Sequence, residues 1–246
     1  MEHGRVIEQA IGYEIDGRKC EGMLVCDERM KKKRPVILLQ CDWKGVCPET
    51  VAQARMIAGD KYLVFMADMW GAGFGAKPKT FEELMKVSRA LRADYKFTVD
   101  NNSKAMEILL DEGDKRGADT SRVGLVGYCA GGGFALEYAR TGPKVDATVV
   151  FHVTNPNPLD ASRPSNIKGS VLVLHGSVDP VTPLASIRTL EAELDGARVP
   201  WQTVIWSGAC HSFTDVAAKD PGRGIYDAVL DRRSNVLAQE FLAETL

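Results

Sequence analysis

The chain has 246 residues, 45% hydrophobic and 26% charged, which is enough to bury a sizeable core and is the composition of an ordinary globular protein. Lys and Arg number 31 against 33 Asp and Glu, for a net charge of -2, so nucleic acid is a poor candidate partner. The N-terminus lacks an apolar core region, and no apolar run approaches the roughly 18 residues of a membrane span, so neither a signal peptide nor a membrane segment is expected.

Six cysteines (Cys20, Cys26, Cys41, Cys47, Cys129, Cys210) form no CxxC pair. Reduced thiols in a cytoplasmic protein are the expectation. The equal spacing of Cys20/Cys26 and Cys41/Cys47, without clustered histidines, is weak ground for a metal, and none is expected.

In chain order, "VIEQAIGYEI" and "CEGMLVC" flank an Asp-Gly turn and read as a hairpin. The basic tetrapeptide Lys31 to Arg34 then reads as a solvated loop rather than a phosphate-binding patch. "PVILLQ" is a continuous apolar run, as expected of a strand buried on both faces. "PETVAQARMIAG" places Val51, Ala54, Ile57 and Ala58 on one helical face and ends in Gly59. "YLVFMAD" is the next strand, and "MWGAGFGAKPK" a glycine-rich loop.

From Thr80 to about Glu112 the pattern is helical, opened by the capping box "TFEE" and interrupted at Asn101 and Asn102. Then follow strand "RVGLVGY", helix "GGFALEYAR", strands "ATVVFHV" and "SVLVLHG", helix "PLASIRTLEAEL", strand "WQTVIWSG" and a helix from about Ile225 to Glu244. This alternation predicts an α/β fold: one domain over residues 1–246, with a mostly parallel sheet covered by helices on both faces.

In such sheets the reactive groups gather at the carboxyl ends of strands. Three of those ends hold Cys129 in "GYCAGGG", Asp179 in "HGSVDP" and His211 in "GACHSF". Nucleophile, acid and histidine in that chain order is the order of α/β-hydrolases. A thiol needs a base to become a thiolate, and the base needs a carboxylate to hold its tautomer. In Gly-x-Cys-x-Gly-Gly, small residues let a strained strand-to-helix turn close, and the Ala130 N–H at the helix start can face a developing oxyanion.

Each residue also has a structural alternative. Cysteine is commonly buried, a histidine can simply be hydrogen-bonded, and Asp179 can be a turn former. The three together are more specific than any one. His175 and His152 read first as hydrogen-bonding loop residues, although His152 and Ser212 also lie where a substrate pocket would be. Trp43, Trp70 and Phe74 could line an acyl pocket or plug the edge of the core, and Cys210 reads as a packing residue.

The segments "VGLVGYCAGGGFALEYA", "VLVLHGSVDPVTP" and "GACHSFTDV" resemble the dienelactone hydrolase family, and the likeness extends from "PVILLQCDWKGV" to "GIYDAVLDRRSNVLAQEFLAE". The resemblance implies a single-domain α/β-hydrolase fold without a large lid and a Cys-His-Asp triad at Cys129, His211 and Asp179. It also implies a thiol-activating carboxylate in "QCDWKG", where Asp42 replaces the family's Glu and is one methylene shorter, so a purely loop-shaping role is its alternative. Trp43 would give a second oxyanion N–H.

Family members that act on dienelactones hold the substrate carboxylate with arginines. Here Asp215 stands where a cation would be wanted, and Arg89 and Arg92 are the other candidates.

The expected function is hydrolysis of a small-molecule ester or lactone through a thioester acyl-enzyme, with no cofactor. Alternatives are carboxymethylenebutenolidase proper (dienelactone to maleylacetate), a thioesterase or cysteine peptidase, and a non-catalytic binding scaffold. Both a monomer and a homodimer are compatible with the sequence.

Overall fold

A computed structural model describes residues 6–28, 33–76, 80–154, 156–157, 162 and 164–246. Lys31 and Lys32 of the basic tetrapeptide and Lys77 to Lys79 of the glycine-rich loop lie outside the described residues. The chain divides into two compact units, Met1–Leu125 and Val126–Leu246.

In the first unit the strands are β1 (Val6–Ile15), β2 (Arg18–Asp27), β3 (Pro35–Gln40), β4 (Leu63–Ala67) and the start of β5 (Asp119–Tyr128). Their order is β1-β2-β4-β3-β5. The β1/β2 hairpin turns at Asp16 and Gly17, both with φ in the left-handed region that such two-residue turns require. β2 pairs antiparallel with β4, and β4 parallel with β3. Every residue of β3 and β4 is buried, in keeping with their unbroken apolar runs.

Helix α1 (Pro48–Ala58) buries Val51, Ala54, Ile57 and Ala58, and packs on β2 and β4. Gly59 ends it at φ 47°.

The long helical segment is two helices, α2 (Phe81–Ala93) and α3 (Tyr95–Lys115). The capping box at Thr80 is present: Glu83 N–H donates to the Thr80 hydroxyl, and the Glu83 carboxylate accepts from Thr80 N–H at 2.7 Å. The break, however, falls at Asp94, which ends α2 and caps α3 by accepting from Phe97 N–H at 2.9 Å. Asn101 and Asn102 lie inside α3, fully buried. Their amides donate to Asp68 O and Thr98 O, and Gln40 donates to the Asn102 side chain at 2.7 Å. Those bonds satisfy side chains that would otherwise compete with the helix backbone, so the pair does not interrupt it.

In the second unit the end of β5 is followed by α4 (Ala130–Arg140), β6 (Ala147–Phe151), β7 (Ser170–Gly176), α5 (Leu184–Gly196), β8 (Trp201–Trp206), β9 (Lys219–Asp220), β10 (Gly224–Ile225) and α6 (Ala228–Thr245). β6, β7 and β8 are parallel neighbours. α4 packs on β6, and α6 on β6 and β7.

Among the boundaries that differ from expectation, two bear on the site. β6 stops at Phe151 because His152 turns the chain at φ 36°. Ile225 pairs in the β9/β10 ladder, and α6 starts only after Asp227, whose carboxylate accepts from Val229 and Leu230 N–H. No helix among the described residues is long and apolar enough to cross a membrane.

Candidate active site

β5 delivers Cys129 to the rim of the second unit in a backbone conformation side chains rarely adopt, φ 54° and ψ −119°. Such a conformation costs on the order of 1–3 kcal/mol and persists only where its surroundings impose it. Here Cys129 N–H donates to Phe151 O at 3.0 Å, while Cys129 O accepts from Gly132 N–H and Thr154 N–H at 3.1 and 3.0 Å. A methyl group at Gly127 would lie 2.5 Å from Gly131 O, so the turn closes only with glycine there. Ala130 is the first residue of α4, and its N–H belongs to the turn of donors that a helix cannot satisfy internally.

Asp179 follows β7. One carboxylate oxygen accepts from Val181 and Thr182 N–H, both at 2.8 Å. That arrangement leaves the second oxygen for His211, whose Nδ1 lies 2.7 Å away. Because Asp179 faces it, Nδ1 carries the proton, and Nε2 is turned to Cys129 Sγ at 3.2 Å. All three residues are buried.

The His211 segment is held from behind. Ile225 N–H donates to His211 O, and a methyl group at Gly224 would come within 2.8 Å of that same oxygen. The short β9/β10 ladder, with no long apolar pattern to announce it, is thus what supports the histidine.

The electrostatics follow from that placement. Burial works against a charged His211, but Cys129 on one side and Asp179 on the other outweigh it and push its pKa up to about 10. Burial keeps His175 below its ordinary value, against the pull of Asp179 Oδ2 at 3.8 Å. His175 Nε2 donates to Thr182 O at 2.9 Å, so His175 is a neutral support behind the Asp179 turn.

His152 is buried, with Nε2 2.8 Å from the Thr214 hydroxyl and its ring edge-on to His211 and Phe213. It packs against His211 and is hydrogen-bonded to the Thr214 side chain. Ligand atoms of Cys129, His152 and His211 all fall within 4.8 Å of one another, a set a soft divalent ion could use. Both His211 nitrogens already face Asp179 and Cys129, however, and His152 Nε2 faces Thr214.

Ser212, next to His211, is half-buried at φ 55° and abuts Gly224. Asp215 accepts from Ala217 N–H at 3.0 Å in the turn that follows. Cys210 is buried, its thiol 3.8 Å from Pro221 O.

Sequence reasoning missed Thr154. Its hydroxyl is 3.1 Å from Cys129 Sγ and 3.5 Å from His211 Nε2. The only signal was its place at a strand end, in "FHVTNPN".

The remaining nominated residues belong to the first unit. Asp42 is buried; its carboxylate accepts from Lys44 N–H at 2.9 Å and pairs with the Lys44 ammonium at 3.4 Å. Both contacts lie within the loop after β3. Trp43 is half-buried, edge-on to Phe81 at 5.4 Å. Trp70 stacks on Phe74 at 5.4 Å, and both approach Gly45. Arg89, exposed, and Arg92, half-buried, lie on α2.

Comparison with known proteins points to one family. Residues 21–246 match the dienelactone hydrolase family. A solved dienelactone hydrolase-like promiscuous phosphotriesterase from metagenomic libraries is 27% identical, with 98% of this chain and 99% of that one aligned at a TM-score of 0.89. The solved structure designated m3DLH is 29% identical over 99% of this chain and 100% of its own, with a TM-score of 0.87. A protein of Saccharolobus solfataricus named "Putative carboxymethylenebutenolidase" is 25% identical over 235 residues, 84% of this chain and 89% of that protein. With its α/β-hydrolase fold and its match to the family from residue 21 to residue 246, the chain belongs to the dienelactone hydrolase family and is a carboxylic ester hydrolase.

Proposed function

We propose that Cys129, His211 and Asp179 act as nucleophile, base and orienting acid in the hydrolysis of a small-molecule ester or lactone. The observation that carries this reading is the continuous run Asp179 Oδ2–His211 Nδ1 at 2.7 Å and His211 Nε2–Cys129 Sγ at 3.2 Å. The thiolate adds to the carbonyl carbon, and the oxygen takes up the charge facing the Ala130 N–H. Collapse expels the alkoxide, which leaves as the alcohol with the proton from His211, and a thioester remains on Cys129. Water then attacks the thioester as His211 removes its proton; the acid departs and the thiolate–imidazolium pair is restored.

An oxyanion donor of the Ala130 kind contributes about 2.7–4 kcal/mol in comparable enzymes. Trp43, as the second donor, rests on the family resemblance alone. The family match over residues 21–246 supports reading that span as one functional domain. Six thiols kept as buried cysteines support a reducing, cytoplasmic setting.

A trapping experiment decides the chemistry. Rapid quenching with a panel of lactones and esters, followed by intact-mass and peptide analysis, should place the acyl mass on Cys129. An acyl mass on another residue, or turnover retained in Cys129→Ala, would sink the assignment.

A further inference from the structure

We infer that the Thr154 hydroxyl is a further catalytic group, a hydrogen-bond donor to the Cys129 thiolate that favours the charged form of the resting pair. This rests on Cys129 being the nucleophile.

The donor accounting leads to it. With the proton on His211, the sulfur is a thiolate and can only accept. Thr154 Oγ1, 3.1 Å from Sγ, must then be the donor in that contact. Its own lone pair faces His211 Nε2 at 3.5 Å, so the hydroxyl closes a three-membered ring with thiolate and imidazolium. With a neutral thiol the ring loses its charge-assisted bond. Hydrogen bonding to the charged form shifts the equilibrium toward it, and bonds to ions are about twice as strong as neutral ones.

The placement is built rather than incidental. Thr154 N–H donates to Cys129 O at 3.0 Å, tying its backbone to that of the elbow. A methyl group at Gly133, in the first turn of α4, would touch Thr154 O at 3.5 Å. One residue earlier, Val153 packs on Gly132 and accepts from the Thr182 hydroxyl at 2.7 Å. β6, α4 and the Asp179 loop therefore share in fixing where the hydroxyl points.

Among the described residues of the second unit, the titratable groups facing this pair are His211 from the loop after β8, Asp179 behind it, His152 edge-on to His211, and His175 behind Asp179. The first turn of α4, "AGGG", adds none. None of these is changed by replacing Thr154, so a shift in thiol titration reads the hydroxyl itself.

The test is the pH profile of Cys129 alkylation by iodoacetamide, followed site by site by mass spectrometry, in Thr154→Val, Thr154→Ala and Thr154→Ser. Loss of one charge-assisted bond should move the acid limb up by about one pH unit, a roughly tenfold slower alkylation there, in both Val and Ala variants. Thr154→Ser, which keeps the hydroxyl, should restore the wild-type limb. Circular dichroism separates a folding defect from a shifted profile, and the Ala variant carries the comparison if Val does not fold. Val and Ala profiles matching wild type would overturn the inference, as would a Ser profile matching Ala. Failure of the underlying hydrolase reading looks different: His211→Ala would then leave the alkylation profile unchanged.

Discussion

Cys41 follows β3 and Cys129 follows β5; both are buried, and both come directly after a run of buried residues. Around Cys41 stand Asp42 and Asp68. Burial first, and then these carboxylates, push its thiol well above the ordinary range. Around Cys129 stand an imidazole at 3.2 Å and a hydroxyl at 3.1 Å, on a backbone bent to φ 54°. Burial alone makes a thiol inert. A base within hydrogen-bond reach, backed by a carboxylate, is what separates the second site from the first.

The sharpest way to break this contrast is to remove each sulfur in turn. Cys129→Ala should lower kcat/KM on a short p-nitrophenyl ester by about 10³-fold or more, as loss of a nucleophile does in triad enzymes. Cys41→Ala should stay within the wild-type range and cost about 1 kcal/mol in urea unfolding. The contrast would be reversed if Cys41→Ala were the inactive variant.

A smaller effect comes from the backbone. Gly127→Ala places a methyl group 2.5 Å from Gly131 O, a backbone atom that cannot step aside. Destabilisation of about 1–3 kcal/mol is expected by chemical denaturation, with slower Cys129 alkylation as the elbow shifts. An unchanged midpoint would mean that the elbow is not closed by this glycine.

The smallest effect is a slope. Above the ordinary thiol pKa the unfolded chain releases the Cys41 proton, while the folded chain keeps it. The folded state then binds more protons, so stability present below that pKa is lost as pH rises toward the raised folded value. Cys41→Ala should flatten the alkaline decline in stability by at most about 1.36 kcal/mol per pH unit. Equal slopes in the two proteins would place Cys41 in a wetter setting than its burial implies.

Much of this is legible in the sequence. Cys129, Asp179 and His211 each come shortly after a strand, β5, β7 and β8, and a parallel sheet brings such ends together. Thr154 is not, because a threonine in a polar loop carries no pattern of its own; its hydroxyl meets the sulfur just past the bend at His152. Asn101 and Asn102 misled for the converse reason: their local preference for turns is overridden by buried partners distant in sequence, Asp68 and Gln40. The β9/β10 ladder is too short for any periodicity. Asp42 was readable as a carboxylate at a strand end, but its engagement by Lys44 depends on the loop's path.

Cys129 and His211 are 82 residues apart in sequence. On a ribosome, the thiol therefore emerges long before its partner has been synthesised. Through that interval it is an ordinary protonated cysteine, a poor target for oxidants and electrophiles, which attack thiolates. On the proposed reading, the imidazole reaches the sulfur only once the fold is complete, so an unfinished copy has no base beside Cys129.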